Sequence, residues 1–200
     1  MENSSAGGYD GCHTAVLLTG GASRRMGTDK AKLQIEGRPL AEVLAGRLRQ
    51  AGWEPAVLGR TELPGYAFVA DEEEFAGPVA ALARFQPRSE FVFVLSCDVV
   101  RFGAVVPGLF LSALGECQAV IPELDGRLQP LCALYRRSAW DAFAAGGVRR
   151  VFDWVDRLDV RVLDEAALAA LGVSAAWLTG VNTPEELRSL GAEYSPSENE

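Results

Sequence analysis

Residues 17–33 read Leu-Leu-Thr-Gly-Gly-Ala-Ser-Arg-Arg-Met-Gly-Thr-Asp-Lys-Ala-Lys-Leu. An apolar run that stops at Gly20 and Gly21 and turns into a segment carrying Arg24, Arg25 and Lys30 has the parts a polyphosphate needs. Bare backbone approaches closely, its N–H groups point at oxygens, and the cations neutralise charge. The competing reading is a glycine-rich surface loop with solvated cations; against it, these basic residues interrupt an acidic chain directly after a buried strand. The segment is not a Walker loop, since five residues separate Gly21 from Gly27 and no Gly-Lys-Ser/Thr follows.

Asp98 is the second candidate. It follows the apolar run Phe91-Val92-Phe93-Val94-Leu95, so it is expected at the tip of a central strand, where open parallel sheets bind ligands. A carboxylate there suits Mg²⁺, which takes one or two protein carboxylates and completes its shell with phosphate and water. The alternative for such an aspartate is capping the next helix. Asp71, before Glu72-Glu73-Glu74 and Gly77-Pro78, is also placed at a strand end and carries a weaker signal, since an acidic solvated loop would read the same way.

The elements that must hold these residues follow from periodicity. Strands are expected at residues 15–18, 56–58, 66–70, 90–96, 119–121, 131–135, 160–163 and 177–178. The run at 90–96 is too continuously apolar for a one-sided strand and belongs at the centre of a parallel sheet. Helices are expected from Pro39 to Gly52, with Leu40, Val43, Leu44 and Leu48 on one face. Others are expected at 78–85, 107–114, 138–145, 151–158, after Asp164, and finally behind a Thr183-Pro184-Glu185-Glu186 cap. The fold class is α/β: one Rossmann-like three-layer α/β/α domain on a largely parallel sheet, spanning residues 14–192, with solvated tails at 1–13 and 193–200.

Composition narrows the function. The 200 residues carry 19 Lys plus Arg against 27 Asp plus Glu, a net charge of -8, with 48% apolar residues. That composition can bury a core and excludes bulk disorder, and its average field repels nucleic acid without forbidding a local basic pocket. No run approaches the roughly 18 apolar residues of a membrane span, and the first residues lack an apolar signal core, so a cytoplasmic location is expected, with no membrane partner. Cys12, Cys97, Cys117 and Cys132 are too scattered for a zinc pair or a disulfide framework, and the last three read as reduced core thiols. His13 is the only histidine, placed at the edge of the polar tail, and a histidine-based triad is not expected.

With these residues on the page, the chain resembles the molybdenum cofactor guanylyltransferases of the MobA type. It follows that family's opening signature from Leu18 through Gly37-Arg38-Pro39-Leu40. Later landmarks match at Asp71, Gly77-Pro78, Cys97-Asp98, Gln129-Pro130-Leu131-Cys132-Ala133-Leu134-Tyr135, Gly147-Val148-Arg149-Arg150-Val151 and Asn182-Thr183-Pro184-Glu185-Glu186-Leu187. The resemblance covers residues 14–190. It implies transfer of GMP from GTP to molybdopterin with release of pyrophosphate. Position by position it puts Leu18, Thr19, Gly20 and Gly21 against the guanine nucleotide, Lys30 on its phosphates, Arg25 on the phosphate side, Asp71 at the guanosine, Asp98 on Mg²⁺ and Asn182 on the molybdopterin. It also implies molybdenum-insertion proteins and apo-molybdoenzymes as partners.

The sequence departs from the family pattern in three places. Val99-Val100 follows Asp98 where the family usually has a proline two residues on, Gly180 replaces an asparagine that often precedes the final Asn-x-Asn, and Val57 falls near an asparagine some members use. Related activities stay open: a cytidylyltransferase or another small nucleotidyltransferase, whose relatives more often carry Leu-Ala-Ala-Gly and Pro-Lys, or an inactive nucleotide-binding accessory protein. The chemistry needs little acid–base assistance, because the attacking phosphate is already anionic. Alignment and charge neutralisation suffice.

Overall fold

Ala15, Val16, Leu17 and Leu18 are apolar without alternation, the pattern of a strand covered on both faces, and all four are buried in β1 (His13–Leu18). The computed structural model describes residues 13–20, 31, 33–35, 37–71, 77–181 and 186. A short hairpin follows, β2 (Gln34–Ile35) with β3 (Arg38–Pro39), turning at Gly37 with φ 74°. Then come α1 (Leu40–Gln50), β4 (Trp53–Gly59), β5 (Ala67–Ala70), α2 (Gly77–Arg84) and β6 (Phe91–Ser96). The second half of the described chain contains α3 (Val106–Ala113), β7 (Ala119–Leu124), β8 (Arg127–Leu128), β9 (Cys132–Arg136), α4 (Asp141–Ala144), α5 (Val151–Val155), β10 (Val160–Leu163) and α6 (Glu165–Ala170).

The sheet order is β10-β7-β9-β6-β1-β4-β5, with β8 hairpinned onto β7. β1 pairs in parallel with β4 and β6, β4 with β5, and β7 with β10, whereas β9 is antiparallel to both β6 and β7. Along that path every strand except β9 therefore runs one way, as a largely parallel sheet requires, and β6 is its middle strand. The chain moves outward from β1 to β4 and β5, then returns to β6 on the other side of β1, which creates the crevice where ligands of such sheets bind.

Period-two alternation assigns the layers. Ala15 and Leu17 of β1 and Phe93 and Leu95 of β6 face one core with Leu40, Leu44 and Leu48 of α1, Phe110 of α3 and Leu168 of α6. Val16, Leu18, Val92 and Val94 face the other, with Leu82 of α2, Trp140, and Trp154 of α5. The three-layer α/β/α expectation is met. Pro39 stands just before the first residue of α1, and Asp164 caps α6 by accepting the Ala167 N–H at 2.8 Å.

Some local expectations are corrected. Residues 177–178 are not a strand: Ala175–Trp177 is a 3-10 turn, its N–H groups are satisfied locally, and the Trp177 ring packs so closely over Gly103 that a Cβ there would sit 2.9 Å from it. The 138–145 helix begins as a 3-10 turn, Arg137–Trp140, and the 151–158 helix stops at Val155. His13 belongs to β1, with its ring 4.8 Å from that of Trp53 and 5.5 Å from that of Phe91. It packs at the edge of the sheet opposite the crevice. Cys97 and Cys132 are buried thiols, while Cys117 is only half-buried. Of the final helix, Glu186 is helical and the rest of its cap lies outside the described residues.

Candidate active site

The parallel register ends β1, β4 and β6 level with one another, Leu18 opposite both Leu58 and Ser96, and Gly59 opposite Ala70. The residues just past these ends form a row across the carboxyl edge of the sheet: Asp71, Gly59, Thr19 with Gly20, then Cys97 with Asp98. Backbone hydrogen bonds continue the ladder through it, from Asp71 N–H to Gly59 O at 2.9 Å, Thr19 N–H to Leu58 O at 2.8 Å and Cys97 N–H to Leu18 O at 3.1 Å.

Glycine is obligatory at two points of this row. Gly59 has φ 134°, and a Cβ on it would collide with the backbone N of Gly20 and lie 2.9 Å from the Thr19 carbonyl carbon. A Cβ on Gly20 would come within 2.6 Å of Asp71 Oδ2. The glycine at which β1 stops is therefore what lets the Asp71 carboxylate reach the strand end. Gly59 was absent from the sequence candidates, although its place at the end of an apolar strand was a visible signal.

Thr19 is 3% exposed. Its hydroxyl has one proton for two carbonyls, Leu58 O at 3.3 Å and Thr61 O at 3.2 Å, and accepts the Thr61 N–H at 3.4 Å. The hydroxyl and the backbone N–H of Thr19 are thus both engaged inside the protein. Leu18 is likewise core, contributing its carbonyl to Cys97. Gly21, Arg25, Lys30 and Asn182 lie outside the described residues.

Asp98 sits in the turn after β6, and α3 begins at Val106 behind Val105, so Asp98 is too far upstream to cap that helix. Its main-chain oxygen accepts from Val100 N–H at 3.0 Å and from Val181 N–H at 2.9 Å. The latter bond brings Gly180 beside the carboxylate, where a Cβ would stand 3.1 Å from both Cγ and Oδ2. Among the described residues no hydrogen bond or ion pair occupies the Asp98 carboxylate. The unusual Val99-Val100 pair is explained by packing: both are buried, and the Arg47 guanidinium of α1 donates to the carbonyls of Val100 and Phe102 at 3.0 and 3.1 Å. Burying Val99 contributes about 1.5–2 kcal/mol to holding the turn.

On the far side of Asp98 the sheet edge opens into a cleft of about 1270 Å³. Ser96 and Asp98, Gln129, Phe152, Thr179 and Gly180 are among its lining residues. The antiparallel β9 matters here, because its amino end arrives at this edge and Ser96 N–H bonds Leu131 O at 2.7 Å. The β7–β8 turn at Asp125-Gly126, both with positive φ of 48° and 70°, projects alongside. Beneath it, burial pushes the Cys132 thiol far above its ordinary range, with the Asp98 charge adding to the effect. It is a neutral group and no thiolate ligand.

Among the described residues no cluster of three or more His, Cys, Asp or Glu could form a metal cage. A carboxylate on an open cleft that no described residue engages suits a hard divalent cation that takes most of its ligands from phosphate and water.

Residues 15–162 match the model of the MobA-like NTP transferase domain. The chain belongs to this family. It is a nucleotidyltransferase, and it is 28% identical over 198 residues to the probable molybdenum cofactor guanylyltransferase of Nostoc sp., covering 90% of this chain and 91% of that one. The molybdenum cofactor guanylyltransferase of Xanthomonas euvesicatoria is 47% identical over 119 residues, 60% of this chain and 62% of that protein. Among solved structures, molybdopterin-guanine dinucleotide biosynthesis protein A from Archaeoglobus fulgidus superposes with a TM-score of 0.72 at 22% identity, over 88% of this chain and 95% of that one. A manganese complex of Rv0371c from Mycobacterium tuberculosis superposes with a TM-score of 0.58 at 20% identity, over 76% and 88%. These two share the fold.

Proposed function

We propose that this nucleotidyltransferase moves GMP from GTP onto molybdopterin, forming molybdopterin guanine dinucleotide and pyrophosphate. The observation that carries the reading is the order of groups along the sheet edge: glycine-lined backbone and Asp71 on one side of Asp98, an open cleft on the other. Two substrates entering from the two sides would meet at that carboxylate. The names of the guanylyltransferase relatives support the same pair of substrates.

Asp71 and the backbone of Leu18, Thr19, Gly20 and Gly21 would hold the guanine nucleoside, and Lys30 with Arg25 the phosphates. Asn182 would face the pterin. A terminal phosphate oxygen of the acceptor attacks the α-phosphorus in line, the bond to the bridging oxygen breaks, and pyrophosphate leaves with its electron pair. Mg²⁺ held by Asp98 would supply neutralisation of charge on the α-phosphate and the leaving group. The chain's own contribution is alignment and fixed positive charge, and no residue is needed as a base. Residues 14–192 would form the catalytic domain. We place the reaction in the cytoplasm, upstream of insertion proteins and apo-molybdoenzymes; among the described residues no helix is long and apolar enough to cross a membrane.

The test is product identification with purified protein, molybdopterin, Mg²⁺ and either GTP or CTP. GTP should give dinucleotide and stoichiometric pyrophosphate, with CTP much poorer. Equal or better product from CTP would overturn the guanylyl assignment, and no product from either would overturn the reaction.

A further inference from the structure

Phe152 is 49% exposed, an uncommon state for a phenylalanine. It is the only aromatic residue among those described as lining the cleft beside Asp98. Its carbonyl accepts the Asp156 N–H at 2.9 Å, but among the described residues no aromatic or cationic group packs on its ring. Its neighbours on α5 explain why it is held there. Trp154 is fully buried, stacked on Tyr135 with ring centroids 4.4 Å apart, and its indole N–H donates to Ala139 O at 2.7 Å. The start of the helix is fastened by Asp153, whose carboxylate accepts the Arg149 and Arg150 N–H groups at 3.1 and 2.9 Å and pairs with the Arg150 guanidinium at 2.9 Å. With Trp154 directed into the core, Phe152 is turned out toward the cleft on a short, anchored helix. An exposed ring of this kind gains little from the fold and stands ready to cover a flat apolar face.

We infer that Phe152 is the stacking platform for the flat pyrimidinone ring of the acceptor's pterin, and so a residue that selects an acceptor carrying a planar heteroaromatic ring. The inference rests on molybdopterin being the acceptor. The pyrimidinone ring of its reduced pterin is flat and conjugated, and a preset phenyl ring meets it without the entropy cost of ordering a flexible side chain. The phosphate of the same substrate then extends toward Asp98, because both groups line one cleft. The nucleotide lies on the other side of Asp98 and should not feel the ring.

The test is steady-state kinetics of Phe152→Ala, Phe152→Leu and Phe152→Tyr with molybdopterin as the varied substrate. GTP affinity is measured separately by equilibrium binding in Mg²⁺, and thermal unfolding is followed for each variant. Phe152→Ala should raise the KM for molybdopterin about tenfold, with kcat nearly held and GTP affinity unchanged. Phe152→Leu keeps the bulk and loses the ring, so it should behave like the alanine variant, and Phe152→Tyr should restore the wild-type KM. A leucine variant as good as wild type would overturn stacking, and so would an alanine variant that weakens GTP to the same degree. If wild type makes no dinucleotide from molybdopterin at all, the acceptor assignment itself fails; if wild type is active and Phe152→Ala is unchanged, only the stacking inference fails.

Discussion

The two sides of Asp98 are built on different principles. On the side we propose for the nucleotide, the ends of β1, β4 and β5 touch backbone to backbone, with Gly20 and Gly59 in contact and Asp71 filling the space a side chain would need. On the side we propose for the acceptor, the cleft is bordered by a hairpin turn, the amino end of the antiparallel β9, side chains carried on α5, and Leu178 and Thr179. One surface is shaped by what glycine leaves out, the other by what side chains put in. The first should tolerate almost no substitution, whereas the second can be altered one contact at a time.

The comparison breaks most visibly at Gly59. Gly59→Ala should destabilise the domain by about 3 kcal/mol or more and remove GTP binding, because positive φ and a backbone collision cannot be relieved by rotating a side chain. Urea midpoints and nucleotide binding would measure it, and a stable, GTP-binding variant would mean that the strand ends are more yielding than their packing implies. Asp98, on the boundary, should separate fold from function. Asp98→Asn should keep the wild-type unfolding midpoint and lose on the order of 100-fold in kcat/KM, with extra Mg²⁺ recovering only part. An asparagine variant equal to wild type at every Mg²⁺ concentration would remove Asp98 from the metal.

The smallest effect sharpens the contrast from the acceptor side, where Cys132 and Tyr135 are buried titratable groups. Burial raises both, so the folded chain keeps their protons while the unfolded chain releases them from about pH 8.5–10 upward. Unfolding then becomes more favourable as pH rises through that range, and nothing is lost below it. Urea midpoints between pH 7.5 and 10.5 should fall, and Cys132→Ala should flatten the decline. An equally steep fall in that variant would show that the thiol is not involved.

The strand ends around Gly20 and Asp98 were readable from sequence because their signals are local. An unbroken apolar run ending at Gly20 defines a buried strand and its stop, and the run before Asp98 does the same for β6. The direction of β9 was not readable: Cys132-Ala133-Leu134-Tyr135 is continuously apolar, and such a strand looks the same whichever way it runs. Gly59 needed knowledge of which strand lies beside β1. The Asp125-Gly126 pair was a plain hairpin signal that the reading passed over. Trp177-Leu178 misled because two apolar residues bury equally well in a 3-10 turn, and Phe152 could be valued only once Trp154 was seen to take the core.

The bond from Val181 N–H to Asp98 O spans most of the second half of the chain. β1, β4, β5 and β6, with the glycine contacts between the strand ends, all lie before residue 97 of the chain. The strand ends of the proposed nucleotide surface therefore come from the first half of the chain, whereas the wall beside Asp98 needs Gly180 and Val181. The reaction centre is thus joined across the chain: removing the 178–181 segment should open the wall beside Asp98 and leave the strand-end contacts in place.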